Sequence, residues 1–85
     1  MYKVTATVKS IASECAFHRL GDQIVYDGRS IGGTFCPVAF TAMMPTLFAM
    51  RLGAQFPGLE DPDVMTFACP DAEHPVVFEI RRSQP

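Results

Sequence analysis

Cys36-Pro37-Val38-Ala39-Phe40-Thr41-Ala42-Met43-Met44-Pro45-Thr46-Leu47-Phe48-Ala49-Met50-Arg51-Leu52-Gly53 is the stretch that decides the fold. It predicts one helix over residues 37–52. Proline is favoured at the first helical position, where its missing N–H is no loss. Gly53 is the expected C-cap. Pro45 lies inside and removes one backbone hydrogen bond, so a kink is expected there. No charge occurs before Arg51, and apolar side chains surround the axis. A helix that is apolar all round is normally buried all round.

The flanking segments read as short strands. Tyr2, Val4, Ala6 and Val8 alternate with Lys3, Thr5, Thr7 and Lys9, the period of a half-buried strand. Gln23 to Asp27 is a second strand, with Ile24 and Tyr26 on one face. Asp27-Gly28 and Gly32-Gly33 are turn signals. Val64 to Ala68 is a third strand. Val76 to Arg82 is a fourth, with Val76, Phe78 and Ile80 on one face and Glu79 and Arg81 on the other. The expected fold is α+β, in the order β-β-α-β-β: a single domain over residues 1–85 with one mainly antiparallel sheet packed on one apolar helix.

Eighty-five residues allow one small core. The chain is 48% apolar and only 19% charged, which suggests apolar surface that something else covers. One sheet covers one side of the helix. The expected remedy is a homo-oligomer, a two-fold dimer through the 37–52 helix being the simplest. The alternatives are loops 10–21 and 53–63 folding over the helix, or a larger protein partner. Net charge is −2 and the seven cations are scattered, so no nucleic-acid footprint is expected. The uncharged run from Ile31 to Met50 is interrupted by Gly32, Gly33, Pro37 and Pro45, so no membrane span is expected. Met1-Tyr2-Lys3-Val4 reads straight into a strand with no export signal, which points to a cytoplasmic setting.

Three cysteines cannot all pair within one chain, and in a reducing compartment a disulfide framework is not expected. Cys15 and His18 form a Cys-x-x-His; Cys36 precedes Pro37; Cys69 precedes Pro70 and Asp71. All four sit at predicted element ends. Such a set suits tetrahedral zinc, and cysteines followed by proline occur around iron–sulfur clusters. The first functional expectation is therefore a module whose Cys15, His18, Cys36 and Cys69 converge at one end of the sheet on a metal or small ligand. A second is a thiol enzyme. Cys36, at the helix N-cap, would be the nucleophile, because the macrodipole and unpaired amides there favour a thiolate, and His18 or Asp22 would assist. A third is an accessory subunit of a larger enzyme. Three ordinary buried thiols remain the plain alternative. Asp22 and Asp71 more often cap turns than act as acids or bases, and His74 reads as a solvated turn residue.

The opening strand, Cys15-Ala16-Phe17-His18-Arg19-Leu20-Gly21-Asp22, Cys36-Pro37-Val38-Ala39-Phe40, Met44-Pro45-Thr46-Leu47-Phe48-Ala49-Met50-Arg51-Leu52-Gly53, Ala68-Cys69-Pro70-Asp71 and the closing Pro75-to-Arg82 segment together carry a resemblance. The chain resembles a family of short proteins, about ninety residues long, found largely in anaerobic bacteria and archaea. The resemblance covers nearly the whole chain and the order of all three cysteines. Where the family often has Gly-His, Phe17-His18 stands here, which leaves a three-cysteine site or no metal as alternatives. The resemblance implies a cytoplasmic setting compatible with reduced thiols and iron–sulfur chemistry, and it names no activity.

Overall fold

The alternation of the first strand becomes the centre of the sheet. A computed structural model describes residues 1–11, 19–34 and 36–84. Its elements are β1 (Lys3–Ile11), β2 (Gln23–Tyr26), β3 (Ile31–Gly33), α1 (Pro37–Arg51), β4 (Val64–Ala68) and β5 (Val76–Ser83). The five strands form one antiparallel sheet in the order β3-β2-β1-β5-β4, with α1 packed on one face. The α+β architecture expected from the sequence is present.

The sheet has one strand more than the sequence reading allows. Residues 31–33, read as a glycine turn, pair as the edge strand β3, with Val25 opposite Gly32. The reason lies in the preceding turn. The Asp27 carboxylate accepts the amides of Arg29 (2.9 Å) and Ser30 (2.8 Å), and Gly28 takes a positive φ of 92°. That reverses the chain and lays it beside β2. Gly33, at φ 106°, lies where a Cβ would run into the carbonyl oxygen of Gln23, so the edge can approach this closely only with glycine.

One face of the sheet supplies Val4, Ala6, Val8, Ile24, Val76, Phe78 and Ile80, all essentially buried. Ala39, Met43, Leu47 and Met50 of α1 meet them. Lys9 is an extra residue in the β1–β5 ladder: Val8 faces Phe78, while Ser10 faces Val77. This bulge restores Ile11 to the core side, opposite Val76. The helix begins at Pro37, with Cys36 in extended geometry at the N-cap. It ends in a Schellman motif: Gly53 (φ 85°) donates to Met50 (3.1 Å) and Ala54 donates to Ala49 (3.0 Å). Pro45 lies inside the helix on its exposed side.

Arg82 fixes how helix and sheet meet. Alternation from Ile80 turns it to the core side, where it is only 4% exposed. Its Nε donates to Asp63 Oδ1 at 2.9 Å. Its Nη1 donates to the Ala54 carbonyl at 2.8 Å and the Met50 carbonyl at 3.4 Å. Its guanidinium carbon lies 5.0 Å from the Tyr2 ring centroid. A cation is favourable at a helix C-terminus, where carbonyls lack amide partners. Arg51 closes the same corner: it donates to the Tyr2 carbonyl (3.0 Å), and its own carbonyl accepts the Tyr2 amide (3.0 Å).

Replacing Arg82 by methionine removes the donors to two helix-end carbonyls, whereas Asp63 is half exposed and rehydrates readily. We expect Arg82→Met to cost about 2–3 kcal/mol in urea unfolding and Asp63→Asn, which keeps an acceptor for the Arg82 Nε–H but removes the counter-charge of a buried cation, about 1 kcal/mol. Equal costs would mean that the ion pair, and not the carbonyl contacts, holds this corner.

Candidate functional site

The C-terminus of α1 is tied to Tyr2 and Arg82, at one end of β1 and β5. At the other end of that pair, Ile11 lies opposite Val76. At 1.5 Å per residue α1 is about 22 Å long, enough to cross most of the sheet. Cys36 and Cys69 are both partly buried and pack on the same core cluster. Cys69 follows β4. Its amide donates to the Val76 carbonyl (2.9 Å), and its sulfur accepts the Val76 amide (3.4 Å). The thiol lies 3.9 Å from the His74 carbonyl, a weak S–H bond. These bonds close the β4–β5 connection.

Cys15 and His18 lie outside the described residues. The described chain leaves β1 at Ile11 and returns at Arg19 beside Asp22. Asp22 Oδ2 accepts the Arg19 amide (3.0 Å), and the Asp22 carbonyl accepts the Val8 amide (2.9 Å). These are the bonds of a residue that shapes its own turn. Among the described residues, no group of three or more His, Cys, Asp or Glu side chains is placed to hold a metal ion.

Asp71 also serves its turn. Its Oδ1 accepts the amides of Glu73 (3.1 Å) and His74 (3.2 Å), and its Oδ2 lies 3.3 Å from His74 Nδ1. His74 is exposed, as its turn position suggests.

The other candidate surface is the outward side of α1. Val38, Thr41, Pro45, Phe48 and Leu52 are exposed at alternating spacings of three and four, which places them in one stripe. Val38 is 64%, Phe48 51% and Leu52 53% exposed. The stripe carries no charge; Arg51 turns aside to Tyr2 and to the Gly28 turn, within 6.0 Å of the Tyr26 ring centroid. Pro37, Val38, Thr41 and Ala42 line a shallow, mostly apolar depression of about 390 Å³ in this surface. The sequence places apolar residues all round the axis. The structure sorts them, burying Met43, Leu47 and Met50 and leaving Val38, Phe48 and Leu52 in water. No helix among the described residues is long and apolar enough to cross a membrane.

No family model, curated protein or solved structure matches this chain.

Two turn carboxylates set an acid limit on the fold. Asp27 is held below the ordinary carboxylate range by the Ser30 and Arg29 amides, with help from Arg51. Asp71 is held low chiefly by the Glu73 amide, then by His74. A carboxyl depressed in the folded state contributes stability that is complete above its unfolded value of about 3.9. That contribution disappears as pH falls through the folded value. Thermal midpoints should therefore drop more steeply below about pH 4. Asp27→Asn and Asp71→Asn, which keep an acceptor but no charge, should each flatten that drop. Unchanged steepness in both variants would place the acid sensitivity elsewhere.

Proposed function

We propose that this protein is a docking module that acts through the outward face of α1, where it receives another apolar helix. One observation carries this reading: the exposed stripe from Val38 to Leu52 is uncharged and spaced three and four apart, as in a helix–helix seam. Large side chains are worth about 1.5–3 kcal/mol each when buried, so a stripe of them in water favours a partner. This reading spans the homo-oligomer and accessory-subunit expectations, which differ in what meets the helix: a second copy or a larger enzyme.

The test is the size of the protein in extract of its own cells, beside a Phe48→Asp variant. Phe48 is half exposed, so the variant should fold with a melting curve like the parent's. The parent should migrate well above its 9.3 kDa chain mass, and the variant should fall to the monomer. A parent that runs as the lone chain would remove the docking reading.

A second reading is a Cys/His site for a soft metal such as zinc, for an iron–sulfur cluster, or for a small thiol-binding ligand. What supports it is that Cys36 and Cys69 pack on one core, and that the connection carrying Cys15 and His18 in sequence joins the Ile11 end of β1. Elemental analysis of anaerobically purified protein should then give stoichiometric metal, lost in both Cys36→Ser and Cys69→Ser. Metal-free parent protein would leave the thiols structural or, with Cys36 as nucleophile, catalytic. Rapid alkylation of Cys36 alone would favour the latter.

A further inference from the structure

We infer that the helix received by α1 is the α1 of a second copy of this chain, lying antiparallel, with Phe48 of each copy seated in the other's depression between Pro37, Val38, Thr41 and Ala42. The inference rests on the docking reading above and names its occupant.

The knob and the hole are on the same surface. Phe48 is the largest exposed apolar side chain of the outward stripe, and the depression, a mostly apolar hollow, lies nearer the helix start, lined by Pro37, Val38, Thr41 and Ala42. Pro37 with Thr41 and Val38 with Ala42 form two neighbouring ridges at a spacing of four, and the hollow is the groove between them. Phe48 lies six residues or more along the axis from the hollow, about 9 Å or more at 1.5 Å per residue. Two parallel helices in register would set Phe48 against Phe48 and leave both hollows empty. A two-fold axis near Pro45 that reverses the helix direction brings each Phe48 over the partner's hollow. The same operation places Leu52 of each copy near Val38 of the other. Every exposed apolar member of the stripe then meets one of its own kind.

One further feature favours a second copy over a charged partner, and another sets the strength of the contact. The stripe has no charge, so it pairs with itself without like-charge repulsion and offers no sign by which to select a charged partner. The stripe exposes only three large apolar side chains, Val38, Phe48 and Leu52, so an interface built on it is small. That predicts a reversible dimer.

Sedimentation equilibrium of the purified full chain over a micromolar range tests the proposal. Four proteins are compared: parent, Phe48→Ala, Ala42→Phe, and the double variant. Both positions are exposed, and circular dichroism confirms that each variant is folded. Phe48→Ala removes two knobs per dimer and should weaken association on the order of a hundredfold. Ala42→Phe fills the hollow and should weaken it similarly. The double variant moves the ring from knob to hollow and should recover at least tenfold of the loss. A dimeric parent without that recovery would overturn the antiparallel seating. A monomeric parent would overturn the second copy as occupant; if the protein still migrates as a larger species in extract, the docking reading survives with a different partner.

Discussion

The structure depends on one buried guanidinium. Arg82 sits where the last strand passes beneath the end of the helix, and it answers three needs with one side chain. It supplies donors to the Met50 and Ala54 carbonyls, charge to the negative end of the helix dipole, and a flat face to the Tyr2 ring. Asp63 keeps the buried cation from standing alone. That corner fixes one end of the helix, and burial of Ala39, Met43, Leu47 and Met50 against the sheet sets the rest. Which residues are buried and which form the outward stripe follows from there.

Among the described residues one helix lies on one sheet, and its residues are divided by position and not by chemistry. Ala39, Met43, Leu47 and Met50 are core because the corner turns them inward. Val38, Phe48 and Leu52 are no less apolar, and they face water because no second layer lies over them among the described residues. The far side of the sheet differs: Thr5, Thr7, Thr66, Glu79 and Arg81 alternate with the core residues, and Glu79 pairs with Lys9 and Arg81. The far side of the sheet thus carries charges and hydroxyls, beside Val25, Val64 and Val77, that the outward stripe of α1 lacks.

Much of this was legible in the residues. The strict alternation of residues 2–8 and 76–80 gave the two central strands, and Pro37 and Gly53 bounded the helix, because these signals are local and physically unambiguous. The β3 edge was not legible, since a Gly-Gly pair signals a turn unless the Asp27 turn before it is known to return the chain to β2. Arg82 could have been found by carrying the alternation two residues past Ile80; its charge argued against doing so. The outward stripe was readable only as an excess of apolar residues, because sequence alone does not say which side of an all-apolar helix the sheet will take. Of the four residues expected to converge, Cys36 and Cys69 pack on the same core through contacts between segments remote in sequence, and Cys15 and His18 lie outside the described residues.

The β1–β5 ladder has a consequence for the order of events in folding. Lys3 pairs with Ser83 and Val4 with Arg82, so the central pairing of the sheet joins segments from opposite ends of the chain. Such pairings have high contact order, and the entropy of closing so large a loop precedes any gain from the contacts it permits. During synthesis β1 and β2 can form a hairpin early, but β1 must keep its other edge open until β5 leaves the ribosome. Through that interval the apolar helix is present without a completed sheet to lie on. The nascent chain is therefore most exposed to misassembly just before its last strand arrives.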